Sequence, residues 1–107
     1  MSEFVEYLRE VFAEFWPVQT RRMFGGHGIF YDGLMIGLVA DETLYLKTDV
    51  KSVAEFEARN LAQFTYQKGG KPVGMSYYLA PEDALEDPNE LKHWAELAYA
   101  AARRARK

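Results

Sequence analysis

The chain has 107 residues, of which 49% are hydrophobic, 27% charged and 15% aromatic, and it contains no cysteine. This composition is typical of one globular domain, and it excludes disordered and fibrous chains, cysteine-ligated metal centres, thiol nucleophiles and disulfide scaffolds. The formal net charge is -3, but four cations lie in the last five residues, so the remaining chain is strongly acidic and is not expected to bind nucleic acid directly.

Residues 2–16 predict an amphipathic helix. Its apolar residues recur at spacings of three and four, at Phe4, Leu8, Val11, Phe12 and Phe15. Ser2 is placed to cap this helix and Pro17 to end it. The interspersed charges exclude a signal peptide, and no later segment approaches the ~20 apolar residues of a membrane span, so we expect a cytoplasmic protein.

Residues 21–48 predict three or four antiparallel strands. Glycines punctuate runs of aromatic and aliphatic residues, and Asp32-Gly33 is a strong signal for a two-residue hairpin. Asp41-Glu42 is expected to form the next turn. The segment 34–40 is apolar nearly throughout, as in an interior strand, whereas residues 43–47 alternate as in a strand with one solvated face.

The second half of the chain predicts a short helix followed by a further hairpin. Ser52 and Glu55 form a capping-box pattern that opens a helix ending before Asn60. Two alternating segments, 64–67 and 73–79, then flank a glycine-containing basic tip. In the second segment, alternation places Tyr77 and Tyr78 on opposite faces, so only one of them is expected in the core.

A helical turn is predicted at residues 82–85, and the final helix begins at Asp87-Pro88, a cap followed by proline at the first helical position. The last helix has a stripe of largely small residues: Leu91, Trp94, Ala95, Ala98, Ala102 and Ala105. The order α-β-β-β(-β)-α-β-β-α predicts an α+β two-layer sandwich, an antiparallel sheet with helices on one face. Nothing in the sequence indicates a second domain within residues 1–107.

The candidate site residues carry weak chemical signals. His27 is interpreted as an exposed turn histidine, because sequence alone gives it no acid, base or metal partner. Arg21 and Arg22 are expected to pair with the abundant carboxylates, and the adjacent glycines with a turn or bulge, since no phosphate-loop spacing is present. Ser76 lacks a nucleophile elbow and is interpreted as a strand residue. No catalytic residue, metal site or cofactor is predicted.

The basic residues at 103–107 have two compatible interpretations. They can stabilise the negative end of their own helix, or they can contact nucleic acid or an acidic partner. Self-association through sheet edges or through the small-residue face of the last helix is also possible.

Three segments together resemble the N-terminal domain of the TfoX/Sxy family over nearly the whole chain. The resemblance rests on residues 21–30 (RRMFGGHGIF), 44–47 (LYLK) and 71–78 (KPVGMSYY). The signature residues it marks are Arg21, Arg22, Met23, Phe24, Gly25, Gly26, His27, Gly28, Ser76, Tyr77 and Tyr78.

The resemblance implies a two-layer α/β domain from a bacterial protein, with no established enzymatic activity or cofactor. The best-known full-length members regulate natural competence for DNA transformation, acting at promoters with the cyclic-AMP receptor protein, and they continue into a helical C-terminal domain. This chain is interpreted as a stand-alone N-terminal domain.

The leading hypothesis is a non-catalytic regulatory or protein-interaction module, whose partner is a protein such as transcription machinery or a DNA-bound regulator. The alternative is a small-ligand-binding or enzymatic site around Arg21, Arg22, His27 and Tyr78. A pocket beside His27 with unpaired arginines would favour a ligand site, whereas a closed surface with salt bridges would favour the interaction module.

Overall fold

The computed structural model describes residues 3–23 and 25–106. The predicted cap at Ser2, the signature residue Phe24 and the terminal Lys107 lie outside these ranges. The elements, in chain order, are α1 (Glu3–Phe12), β1 (Gln19–Met23), β2 (Gly26–Tyr31), β3 (Leu34–Ala40), β4 (Thr43–Lys47), α2 (Val53–Ala58), β5 (Gln63–Lys68), β6 (Lys71–Leu79), a 3₁₀ turn (Glu82–Leu85) and α3 (Pro88–Ala105).

The helix boundaries follow local hydrogen bonding. Helix α1 ends at Phe12, earlier than the predicted residue 16, because the N–H groups of Phe15 and Trp16 both donate to the Phe12 carbonyl and close a turn. Helix α3 begins as predicted: the Asp87 carboxylate accepts a hydrogen bond from the Asn89 N–H at 2.9 Å, with Pro88 at the first helical position.

The capping box predicted for α2 is not formed. Ser52 precedes the helix, but its Oγ accepts a hydrogen bond from the Asp49 N–H at 3.1 Å instead of capping the first turn. The Asp49 carboxylate accepts hydrogen bonds from the N–H groups of Lys51 and Ser52 at 3.0 and 3.1 Å. The helix is therefore entered through an Asx-type turn at Asp49, a residue to which the sequence pattern assigned no role.

The six strands form one antiparallel sheet in the order β1-β2-β3-β4-β6-β5. Both predicted two-residue turns are confirmed, with φ of 53° and 76° at Asp32 and Gly33 and of 52° and 53° at Asp41 and Glu42. Positive φ at both central positions matches the right-handed twist of the flanking strands. The long connection from β4 to β5 carries α2, and β6 returns between β4 and β5.

All three helices cover one side of this sheet, which we call the helix-covered face. Helix α3 packs on β3 and β4, α2 packs on β6, and α1 packs on α3. The core between the layers contains side chains that are fully buried, from both helices and strands: Val5, Leu8, Phe12, Ile29, Ile36, Leu44, Leu46, Phe56 and Leu91. The predicted α+β class, element order and one-sided placement of the helices are confirmed.

The final helix presents its small residues to the sheet, as predicted for most of the stripe. Ala95, Ala98 and Ala102 are buried, which brings the α3 backbone close to β3 and β4, whereas Ala105 at the helix end is exposed. Across the described ranges, no helix combines the length and apolar character that crossing a membrane requires.

Candidate interaction surface on the open face of the sheet

The second side of the sheet, which we call the open face, is also apolar. Strand alternation directs Leu44 and Leu46 of β4 to the helices, so Tyr45 between them faces away. Tyr45 is the cross-strand partner of Leu38 and packs edge-on against Phe64, with ring centroids 5.0 Å apart. Side chains on this face therefore pack on one another, without a covering helix.

A groove of about 530 Å³ lies in the open face. Its walls include Met23, Met35, Leu38, Phe64, Met75 and Tyr77, and Tyr66 lies at its margin. Three of the four methionines of the chain are among these residues. Within the described part of the chain, no charged side chain lines the groove. Its volume is within the range of small-molecule and anchor-residue pockets, roughly 300–1,000 Å³.

The groove exists because the sheet is strongly curved. Met23 lies on β1 and Tyr66 on β5, the two outermost strands of the sheet. Neighbouring strands lie about 4.8 Å apart, so five spacings would separate these strands by roughly 24 Å in a flat sheet. Both residues nevertheless line one cavity of about 530 Å³. The two edge hairpins, β1-β2 and β5-β6, therefore form opposite walls of a concave surface.

The curvature also explains the burial of Tyr77. The predicted alternation is correct: Tyr78 packs beside Phe56 on the helix-covered face, with ring centroids 6.1 Å apart, while Tyr77 lines the groove. Only one of the two tyrosines is buried, as expected: Tyr77 on the open face is 7% exposed, whereas Tyr78 is partly buried against the core of the helix-covered face. Burial raises the pKa of the Tyr77 hydroxyl above its ordinary value, so the groove wall stays neutral at physiological pH.

Gly28 of β2 lies beneath two of the groove-lining methionines. A Cβ atom at this position would come within 2.9 Å of Met23 Sδ and of the Phe30 ring, and within 3.3 Å of Met35 Cε. These three side chains therefore close over the Gly28 backbone. Another glycine of the signature, Gly25, has φ of +77° and lies in the turn that connects β1 to β2, which confirms the predicted turn.

Two cations lie on the open face, and each lies over an aromatic ring of that face. The Arg21 guanidinium is 5.2 Å from the Phe30 ring centroid, and the Lys47 ammonium is 5.3 Å from the Tyr77 ring centroid. Neither Arg21 nor Arg22 forms an ion pair with any described carboxylate. The expected pairing of these arginines with local acids is wrong, because the nearby strands carry no acid.

The described strands of the whole sheet, like the open face, carry positive charges and no negative ones. The described strands contain five Lys or Arg and no Asp or Glu; the cations are Arg21, Arg22, Lys47, Lys68 and Lys71. All sixteen carboxylates of the chain lie in helices and connecting segments. The molecule therefore has a cationic sheet and an acidic remainder, a separation that the net charge of -3 does not reveal.

The four residues of the alternative ligand site do not converge. Arg22 and His27 are cross-strand partners on β1 and β2, but Tyr78 lies on β6, with β3 and β4 intervening. Arg21 lies over Phe30 on the open face, whereas Tyr78 packs on the helix-covered face. The groove does adjoin the β1-β2 hairpin on the face that carries Arg21, but its walls are apolar and His27 does not line it.

His27 is not the exposed turn residue that its glycine neighbours predict. It lies within β2, is partly buried, and its Nε2 atom is buried with no hydrogen-bond partner among the described residues. Ser76 is an exposed residue of β6, and its carbonyl accepts a hydrogen bond from the Thr48 N–H at 2.8 Å. This agrees with its interpretation as a strand residue.

The basic end of α3 contacts the body of the protein. The Arg104 guanidinium donates two hydrogen bonds to the Asp49 carboxylate, from Nε and, at 2.9 Å, from Nη2. Arg104 and the backbone N–H donors of Lys51 and Ser52 hold the pKa of Asp49 well below its ordinary value, although burial opposes this. Arg103 lies over the Tyr99 ring, 5.7 Å from its centroid. Arg104 therefore stabilises the fold through an ion pair with Asp49, a contact that neither interpretation of the tail included.

A second polar contact joins helix α3 to the turn between β2 and β3. The Tyr99 hydroxyl donates a hydrogen bond to Asp32 Oδ2 at 2.6 Å, and this bond raises the pKa of Tyr99. The Tyr99 ring packs edge-on against Tyr31, which stacks on Trp16 at 4.2 Å between centroids. The polar contacts of the tail and the turn thus hold the helices onto the sheet and leave the groove unobstructed.

In chemical terms the groove is an apolar concavity with uncharged walls. Among residues 3–23 and 25–106, no three or more His, Cys, Asp or Glu side chains are grouped so that they could hold a metal ion. The titratable groups in the groove walls are tyrosines. An apolar concavity with cations beside it can bury apolar side chains and attract negative charge.

The fold and this surface define a one-sided α+β domain with an exposed apolar groove. The family model of the TfoX N-terminal domain matches residues 10–102, and the chain belongs to this family. Among curated proteins, none matches the chain. The signature segments resembling the family contribute Met23, Gly26, Met75 and Tyr77 to the groove.

Proposed function

We propose that this chain is a non-catalytic protein-interaction module that binds its partner through the open face. The observation that carries the proposal is the groove of about 530 Å³, whose walls are apolar and come from both edge hairpins. Isolated apolar residues are common on protein surfaces, but contiguous apolar concavities on monomeric proteins frequently mark interaction sites.

The family supports a regulatory setting for this module. Full-length TfoX-type proteins are regulators of competence, and the partner we propose here belongs to transcription machinery or is a DNA-bound regulator. Direct binding to DNA by this chain is not part of the proposal, because the chain has sixteen Asp and Glu residues against thirteen Lys and Arg and is acidic overall. A ligand or enzymatic site around Arg21, Arg22, His27 and Tyr78 is not proposed either, because these residues lie on different strands and faces.

Capture experiments from a lysate of the source cells test the proposal. Tyr66→Glu and Met75→Glu each place a carboxylate at the groove, and we expect them to reduce recovery of a specific partner at least tenfold. The matched control is Val50→Glu, because Val50 is 90% exposed and lies outside the groove. Equal recovery with the groove variants and the parent chain, with all variants folded by circular dichroism, would contradict binding through the open face.

A further inference from the structure

We infer that the occupant of the groove is an amphipathic helix with acidic flanks, supplied by a partner protein. This inference rests on the proposed function and specifies the chemistry of the partner. Three properties of the open face support it: an apolar lining, a scarcity of polar groups to satisfy an incoming backbone, and two cations, Arg21 and Lys47, that pair with no described carboxylate.

The apolar walls select a helix over an extended segment. The groove lies on the face of the sheet, where backbone N–H and C=O groups are already used in the strand ladders, and its lining residues are Met, Leu, Val, Ala, Gly, Phe and Tyr. An extended peptide would leave its own backbone groups without partners there, at a cost for each buried group. A helix satisfies its backbone internally and presents only side chains.

The methionines fit this mode of binding. Met23, Met35 and Met75 contribute flexible, polarisable side chains to opposite walls of the groove. Such side chains adapt to the apolar anchors that a docked helix presents at spacings of three and four residues. The aromatic walls formed by Phe64 and Tyr77 add large apolar area around these anchors.

The cations select acidic flanks. Arg21 on β1 and Lys47 on β4 are three strand spacings apart, roughly 14 Å along the sheet. Each lies over an aromatic ring, and neither pairs with a described carboxylate. Because strands β2 and β3 lie between the two cations, a helix with acidic residues on both sides of its apolar stripe is long enough to reach both.

A second copy of this chain does not provide such a helix. Helix α1 is acidic and amphipathic, but Val5, Leu8 and Phe12 of its apolar stripe are fully buried in its own core. A symmetric dimer through the open faces would bring the cationic sheets of both copies together, because no described strand carries an acid. A flat lipid surface does not match a concave groove.

Three designed peptides of 18 residues test the inference. The first has a leucine stripe at helical spacing with glutamates elsewhere, the second has lysines in place of the glutamates, and the third has the composition of the first in scrambled order. We expect fluorescence polarisation to give at least tenfold tighter binding for the first peptide than for either of the others. This preference should weaken as salt is raised, because charge attraction between exposed groups is screened.

Reversing the charges of Arg21 and Lys47 is the most stringent test of the inference. The double variant Arg21→Glu, Lys47→Glu should bind the lysine peptide more tightly than the glutamate peptide. The matched control, Arg9→Glu with Lys92→Glu, changes the net charge equally but alters exposed positions on α1 and α3. It should retain the parent preference. A reversal of preference is a gain of binding that an unfolded variant cannot produce.

Other outcomes overturn the inference. Equal binding of the glutamate and lysine peptides, or of the ordered and scrambled peptides, contradicts it. Binding of oleate, single-stranded RNA or anionic vesicles that is lost in Tyr66→Glu, with no binding of the glutamate peptide, assigns the groove another occupant. If no peptide binds but lysate capture still depends on Tyr66 and Met75, the proposed function stands and the acidic helix is wrong.

Discussion

Both faces of the sheet are apolar, but their side chains are buried in different ways. On the helix-covered face, Leu44, Leu46 and Ile36 are at most 1% exposed beneath α3 and its neighbours. On the open face, Leu38 and Tyr77 are 6% and 7% exposed although no described helix covers them. Curvature and contacts among neighbouring side chains give the open face much of the burial that a second layer would provide, and leave one groove unfilled.

The largest expected difference in stability between the two faces comes from replacing one leucine by alanine on each of them. Leu46→Ala leaves an enclosed cavity beneath the helices, and we expect it to lower the free energy of unfolding by about 3 kcal/mol. Leu38→Ala only enlarges a groove that solvent already reaches, so the expected loss is that of transfer alone, about 1–2 kcal/mol. Urea denaturation of both variants measures the difference.

Equal losses for the two variants would contradict this distinction. They would indicate that the open face is sealed against water in solution, for example by another molecule. The slope of the free energy with urea should be unchanged in both variants, because neither alters the surface exposed on unfolding by much.

Several parts of the fold were predictable because they depend on signals only a few residues apart. The turns at Asp32-Gly33 and Asp41-Glu42, the start of α3 at Asp87-Pro88 and the alternation of β4 are of this kind. The capping box at Ser52 failed because a competing acceptor, Asp49, lies three residues upstream and is held by Arg104, 55 positions away. A local pattern cannot reveal that competitor.

The groove was not predicted, because it depends on curvature across the whole sheet. Alternation alone placed Tyr77 and Tyr78 on opposite faces, but it did not indicate that Met23 on the opposite edge of the sheet would line one groove with Tyr77. One usable signal is present in the sequence. Asp and Glu are absent from every predicted strand, although the chain contains sixteen such residues, and this absence alone indicates a cationic sheet.

Two ion pairs of the protein, Asp49–Arg104 and Asp83–Arg59, differ in how exposed they are. We expect their contributions to stability to differ, and the contribution of Asp49–Arg104 to depend on pH. Because Arg104 lowers the pKa of Asp49 in the folded state, this contact stabilises the fold above the ordinary aspartate pKa of about 4. The stabilisation is lost as the pH falls from there through the lowered value. Asp49→Asn keeps the acceptor for the Lys51 and Ser52 N–H groups and removes the charge.

We therefore expect Asp49→Asn to lower Tm by a few degrees at pH 7 and to differ progressively less from the parent chain below pH 4. The control is Asp83→Asn, which disrupts a more exposed pair with Arg59 at 3.3 Å. It should have a smaller effect at pH 7. Thermal unfolding at several pH values measures both variants, and a difference for Asp49→Asn that persists undiminished at pH 2 would rule out the ion pair as its cause.

The smallest effect on stability is expected from removing the cations of the open face. The size of this effect distinguishes a role of these cations in stability from a role in binding. Arg21→Gln and Lys47→Gln each remove a charge that lies over a ring and has no carboxylate partner among the described residues. The expected change in the free energy of unfolding is below about 1 kcal/mol for each, the typical upper value of an exposed cation–π contact. Urea denaturation at low and high salt measures it. A larger loss of stability would assign these cations a role in stabilising the fold. A small loss, together with weaker binding of the glutamate peptide, would assign them a role in recognition. Cations that contribute little to the stability of their own fold are free to contact a partner.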